Sequence, residues 1–287
     1  MRIGAHMSIE GGLHRAVLRA VEHGFNCVQL FSHSPRVWAE RPATDDEIAE
    51  CVRQARLHDV KPIVLHAPYL PNLASPDDRL WRTSIDAIAH DLHLADQIHA
   101  DYFVFHPGSP GSHGAPFGIE RVAAAFKVIA GMHKPRVTVL LEATAGAGSS
   151  LGGTMRELAA LIGAIGTACP QIQTGVCIDT AHLWASGIDL RSTAGVKAFM
   201  AEIRGTVGMR AIKLVHCNDS KASCGSKRDV HEHIGKGAIG IEGFRNLLKQ
   251  PSLRRLAWIL ETPKDTLESD CENAEVVRRT WGNEVKG

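Results

Sequence analysis

The sequence predicts an α/β fold: a closed (β/α)8 (TIM) barrel, one domain over residues 1–287. Three observations predict it. Eight short apolar runs alternate with helix-like segments, with no linker or low-complexity break, as in strands joined by crossover helices. Six consecutive runs end in a side chain able to bind a metal: His66, His106, Glu142, Asp179, His216 and Glu261. The intervals between these ends are 40, 36, 37, 37 and 45 residues, each room for one strand, one helix and two loops. In a closed barrel all six ends share one rim, where barrel enzymes keep their sites. A doubly wound open sheet would spread them along a line.

Taken in order, Arg2–His6 reads as a first strand and Leu13–His23 as a helix closed by Gly24. Cys27–Phe31 is the second strand, followed by a polar loop holding Arg36 and Trp38. Thr44 and Glu47 form a capping box that opens a helix through Leu57. Lys61–His66 is the third strand; Ser75–Asp78 starts a helix running to Ile98. Asp101–His106 is the fourth strand, with a helix near Ile119–His133 after it. Val137–Glu142 is the fifth, followed by a glycine-rich loop and a second capping box, Thr154 with Glu157. Thr174–Asp179 is the sixth, with a helix near Ala194–Val207 after it, and Ile212–His216 the seventh. A long loop and a helix near Ile241–Lys249 lead to the eighth, Leu256–Glu261, and the tail is helical.

Composition sets bounds. With 44% hydrophobic and 22% charged residues, the chain has the makeup of a soluble globular protein. A formal charge of +1 gives no global basic field, so any attraction of anions is local. The seven cysteines include no C-x-x-C pair; Cys27, Cys177 and Cys217 lie in apolar runs as small core residues. We therefore expect a reducing, cytoplasmic setting and neither a disulfide frame nor a thiolate zinc site. MRIGAHMSIEGG does not read as a signal peptide, and no run approaches the roughly 20 apolar residues of a membrane helix.

The ligand-capable set extends beyond the six strand ends. His182 follows Asp179 by three residues, and Asp229 with His231 forms a D-x-H pair after the seventh strand. Any one of these alone reads equally as a helix cap or a packed histidine; six consecutive rim positions make independent accidents a poor explanation. Imidazole and carboxylate without thiolate suit a catalytic zinc site, or manganese. Nine ligands call for two or three ions sharing a carboxylate. Such a site can bind a phosphodiester and activate water at neutral pH. His6 ends the first strand similarly but reads as an outer partner. His33, His113, His233 and Asp219 read as solvated loop residues or as groups orienting ligands. The AGAGSSLGG glycines are a weak phosphate-cradle signal.

The motifs IGAHMS, HAPYLPNL, FHPGS, LLEATAGAGSSLG, GVCIDTAH, VHCNDSK, GSKRDVHEHIGKG and ILET together resemble the endonuclease IV family of zinc-dependent apurinic/apyrimidinic endonucleases, over essentially the whole chain. The resemblance implies a (β/α)8 barrel with three zinc ions, manganese being an alternative at the third position. It implies incision on the 5′ side of an abasic site, leaving a 3′-hydroxyl and a 5′-deoxyribose phosphate, and trimming of blocked 3′ ends. Carried over by position, His66, His106 and Glu142 hold the first ion. Glu142, Asp179, His216 and Glu261 hold the second, and His182, Asp229 and His231 the third. Glu142 is then the catalytic carboxylate. Arg36 and Tyr69 fall at the wedge positions that meet double-stranded DNA. We expect a monomer and no membrane partner. The chain departs from the family's usual E-N-T-A-G-Q-G at Ala143 and Ala147, and from D-R-H at Val230, which touches DNA contacts rather than ligands.

Two other classes compete. A metal-dependent sugar isomerase or epimerase of the same barrel superfamily needs only Glu142, Asp179, His216 and Glu261, leaving the other five ligands as surplus. A non-catalytic DNA-binding barrel has no use for a complete ligand set.

Overall fold

The apolar runs become strands because both faces of each are covered, one by the barrel interior and one by helices. In the computed structural model, β1 (Arg2–His6), β2 (Cys27–Phe31), β3 (Ile63–His66), β4 (Tyr102–Phe105), β5 (Thr138–Glu142), β6 (Thr174–Asp179) and β7 (Ile212–His216) are seven of eight parallel barrel strands. A two-residue antiparallel ladder follows, β8 (Asp219–Ser220) with β9 (His231–Glu232), and β10 (Ala257–Leu260) is the eighth barrel strand. The barrel closes in the order β1-β10-β7-β6-β5-β4-β3-β2. The structure describes residues 1–34, 37–38 and 42–286, without the side chains of 283–286. Arg36 therefore lies outside the described residues.

Among the described residues ten helices surround the strands: α1 (Leu13–Glu22), α2 (Asp45–Leu57), α3 (Asp78–Gln97), α4 (Gly114–Met132), α5 (Met155–Ala168), α6 (Thr180–Ser186), α7 (Thr193–Gly205), α8 (Gly240–Leu248), the four-residue α9 (Pro251–Arg254) and α10 (Ser269–Lys286). Their starts follow cap chemistry. Thr44 and Glu47 form the expected reciprocal box at α2. At α5 the box is only half made. The Thr154 hydroxyl accepts the Glu157 amide, but the Glu157 carboxylate reaches past the cap to the amides of Gly152 and Gly153. Those loop amides are thus taken internally, which removes them as a phosphate cradle. α4 begins five residues before its expected start, through a 3-10 turn at Gly111–His113.

Period-two alternation explains why the ligands converge. Cys27, Val64, Val104, Leu140, Cys177, Leu214 and Ile259 pack together inside the barrel, one from each of seven strands. Two residues further along each strand, on the same inward face, come Gln29, His66, His106, Glu142, Asp179, His216 and Glu261. On β1 the pair is Gly4 and His6; a Cβ at Gly4 would lie 2.0 Å from the Cys27 carbonyl oxygen, so only glycine fits there. An apolar layer thus supports a polar layer at the C-terminal rim. The larger apolar core, including Trp258, Phe103, Phe105 and Phe126, lies between strands and helices. Each such side chain contributes about 1.5–3 kcal/mol on burial, enough to carry a buried polar ring that would be costly alone.

Candidate metal centre

Three sets of donor atoms converge on the rim, each within 4.8 Å of one another: His66, His106 and Glu142; Glu142, Asp179, His216 and Glu261; and Asp179, His182 and His231. Glu142 is central. Its Oε2 lies 3.0 Å from His66 Nε2 and 3.2 Å from His106 Nε2. Its Oε1 lies 3.2 Å from His182 Nδ1 and 3.3 Å from His216 Nδ1. Asp229 meets both outer histidines, 3.0 Å from His182 Nε2 and 3.2 Å from His231 Nε2. All nine sequence-predicted ligands are therefore in one cluster. The third group differs from expectation in detail: Asp179 joins the two histidines, while Asp229, its side chain 49% exposed, approaches from outside.

Backbone carbonyls set the rings. A carbonyl oxygen only accepts, so the nitrogen facing it carries the hydrogen and the other nitrogen offers its lone pair. His66 Nδ1–H donates to Ala67 O at 2.6 Å, His182 Nδ1–H to Ala143 O at 2.9 Å, and His231 Nδ1–H to Glu261 O at 3.0 Å. His216 uses Nε2–H toward Gln29 Oε1 at 2.8 Å, turning Nδ1 to the carboxylates. Gln29 is oriented in turn, because its amide donates to Glu261 Oε1 at 2.5 Å and to His6 Nδ1 at 3.0 Å. Asn218 does the same on the other side: its amide donates to Asp179 Oδ2 at 2.6 Å, and its Oδ1 accepts the Glu261 amide at 2.8 Å.

Buried ring nitrogens test whether this set fits a cation. Among the described residues His216 Nδ1 and His231 Nε2 are buried without a hydrogen-bond partner. Yet His216 Nδ1 faces Glu142, Glu261 and Asp179 oxygens at 3.2–3.9 Å. Lone pairs and carboxylates crowded this way, with no thiolate, are the donor chemistry of a zinc or manganese site. The fields agree. Burial opposes ionisation of Glu142, but His216 and His106 hold it well below the usual carboxylate range. Burial likewise opposes charging of His231, which Asp179 and Asp229 nevertheless raise to about 9. His6, at the edge, is driven by burial down to about 3 despite Glu261. It remains an outer partner, as expected.

Asp179 satisfies both readings of its motif. Oδ1 caps α6 by accepting the His182 amide at 2.9 Å, while Oδ2 faces the cluster. Sequence reasoning left α6 out, because its seven residues look like loop between longer elements. Asp219 and His33 are corrections to the solvated reading: Asp219 is fully buried, and His33 is buried 4.0 Å from Asp91 in α3. His233 is mostly covered as well, and pairs with Asp265 at 3.0 Å outside the cluster. Gln29 and Asn218 were missed. Gln29 was findable, since it breaks the apolar run CVQLF on the inward phase; Asn218 had no periodic signal.

Tyr69 stands over the rim, 65% exposed, with its ring edge-on to Phe31 at 5.6 Å and 6.5 Å from the rings of His66 and His106. A cavity of about 370 Å³ opens beside it, between His106, Ser109, Ala147, His182 and Asp229. Asn72 ties the flanking loops together, accepting the amides of Ala74 and Ser109. Gly108 permits this: its φ is +96°, and a Cβ would meet Asn72 Oδ1 at 2.2 Å. Lys221, Lys227, Arg228 and Lys236 are exposed on the loop after β7.

Comparison with known proteins agrees with this geometry. The sequence profile of the xylose isomerase-like TIM barrel family matches residues 17–280. Probable endonuclease 4 of Halothermothrix orenii is 38% identical over 97% of this chain and 100% of its own length. The crystal structure of endonuclease IV from Thermus thermophilus superposes with a TM-score of 0.85 at 32% identity, covering 99% of this chain and 100% of that one. A D-tagatose 3-epimerase-like protein shares the fold alone, with a TM-score of 0.71 at 19% identity over 100% of this chain and 99% of that one. The chain therefore belongs to the endonuclease IV family of DNA-cleaving hydrolases, built on the xylose isomerase-like TIM barrel.

Proposed function

We propose that residues 1–287 form one abasic-site endonuclease domain, acting as a monomer on double-stranded DNA in the cytoplasm. It incises on the 5′ side of an abasic site to leave a 3′-hydroxyl and a 5′-deoxyribose phosphate, and it trims blocked 3′ ends. The observation that carries this reading is the surplus of ligands. Glu142, Asp179, His216 and Glu261 suffice for one ion, yet His66, His106, His182 and His231 complete two further groups around shared carboxylates. We assign three zinc ions to these groups, with manganese an alternative in the group of His182, Asp229 and His231. When bound, such ions supply positive charge for the attacking and leaving oxygens of an in-line displacement and lower the pKa of water.

The chain's own residues do the rest. Glu142, reached by four imidazoles, is the catalytic carboxylate that fixes the geometry of the reacting centre. Gln29 and Asn218 hold Glu261 and Asp179 in place. Tyr69 offers an exposed aromatic face beside the cavity, and Arg36 follows β2 in the sequence; together they stack on and open bent duplex at the lesion. Unstacking costs least where a base is missing, which gives selectivity. Lys221, Lys227, Arg228 and Lys236 meet backbone phosphates. No helix among the described residues is long and apolar enough to cross a membrane.

The test is single-turnover incubation with an end-labelled duplex carrying one abasic analogue. The expected result is a single 5′ incision whose 3′ end a polymerase extends, abolished by slow chelation. A folded, metal-loaded protein that leaves the duplex intact and epimerises a ketohexose instead would overturn the reading.

A further inference from the structure

Asp219 sits at the base of the loop after β7, fully buried. The loop's outer half, residues 221–230, is exposed over most of its length and carries Asp229. Its inner half returns through β9, which carries His231, and then through a glycine-rich turn into α8. Five backbone amides point at the Asp219 carboxylate. Ser220 and Ile239 donate to Oδ1 at 2.8 and 2.9 Å. Gly235 and Gly237 donate to Oδ2 at 2.9 and 3.1 Å, and Gly240 donates to Oδ2 at 3.1 Å. Three of the donors are glycines, and one must be: a Cβ at Gly237 would lie 2.4 Å from Asp219 Oδ1. The clamp is adjacent to the ladder in which Ser220 pairs with His231 and Asp219 with Glu232. Further along, Asn273 of α10 accepts the Ile234 amide at 2.8 Å.

We propose that Asp219 is a positioning residue for the outermost cation group. Its carboxylate gathers the return turn and thereby fixes β9, so that His231 faces His182 and Asp179 before any ion arrives. Five converging amides are a strong, directional anchor, because charge-assisted hydrogen bonds are about twice as strong as neutral ones. The inference rests on the three-ion reading above and adds to it a cause for the third group's geometry. It also gives the loop an order of its own: the clamp holds its inner half by protein contacts.

The experiment compares wild type with Asp219→Asn, which keeps the size and one acceptor oxygen but turns an NH2 toward the amides. Two measurements are made on each protein. The first is stepwise metal affinity by competition with a chromophoric zinc chelator. The second is trypsin cleavage of the metal-free chain at Lys236, which lies in the return turn between two of the clamp's donors, Gly235 and Gly237. We expect the variant to keep its two tightest ions and its melting temperature within a few degrees. Its third affinity should fall about 10- to 100-fold, the scale for outer-shell partners, and loop cleavage should quicken at least about tenfold, an opening of the loop by the same order. If Asp219→Asn does not fold, Gly237→Ala strains the same clamp from the half-buried return turn and is measured instead. Unchanged third affinity and unchanged cleavage overturn the proposal, as does a uniform loss of all three ions with the melting temperature, which marks a merely structural residue. A wild type that binds no third ion overturns the three-ion reading instead, while the cleavage comparison still decides whether Asp219 orders the loop.

Discussion

At the scale of single residues, the site is an exercise in keeping carboxylates and imidazoles at fixed orientations. Glu142 is 1% exposed and touches His66, His106, His182 and His216, so its charge cannot be removed quietly. Glu142→Gln keeps the shape and removes the charge. Single-turnover incision should fall by about 10³-fold or more, while affinity for abasic duplex stays within about tenfold; near-normal cleavage would remove Glu142 from its role. Tyr69 lies at the other extreme, held by ring contacts and little else. Tyr69→Ala should weaken binding to abasic duplex by about 1–3 kcal/mol, the scale of one lost stacking contact, with thermal stability unchanged. Binding that still discriminates abasic from intact duplex as wild type does would dismiss the stacking role.

At the scale of elements, β6 and α6 show one residue serving two ends. Asp179 finishes the strand, caps the helix with Oδ1 and faces the cluster with Oδ2. The two duties separate by substitution, because asparagine caps as well as aspartate and alanine does not. Asp179→Asn should lose metal while keeping the cap. Asp179→Ala should lose metal and a further ~1 kcal/mol of stability relative to the asparagine variant, measured by denaturant unfolding. Equal stabilities would mean that the cap contributes nothing. The strands themselves were largely legible: β1, β2, β6 and β7 fall where the apolar runs begin and end. Short elements were not. The β8–β9 ladder is two residues on each side, too short for any period to show, and α6 is about two turns of helix hidden behind a capping aspartate. Glu157 was legible as a cap partner but bonds loop amides instead, since a glycine turn that brings Gly152 and Gly153 near is not visible in the residue spacing.

At the scale of the whole molecule, the site is a consequence of closure. Parallel register around eight strands places one inward residue per strand in the rim layer, from His6 and Gln29 through to Glu261. That is why six candidate ligands could be read from an unaligned sequence as strand ends at regular intervals, while the partners that orient them could not. Gln29 shares the ligands' phase but not their chemistry. Asn218 lies past the strand, where alternation no longer applies. The same closure leaves His182 in α6, Asp229 on a loop and His231 on the short ladder rather than on barrel strands, so these three residues are separable from the barrel.

That separability gives the most direct measurement of the central claim: metal content per chain, by mass spectrometry of dialysed protein, for wild type and His231→Ala side by side. Wild type should carry about three divalent ions. His231→Ala should keep its fold and two of them and lose most of the third, with incision of abasic duplex reduced by at least about 10²-fold as one Lewis acid is lost. A single ion in wild type, or three ions retained by His231→Ala, would contradict a three-metal centre on this rim.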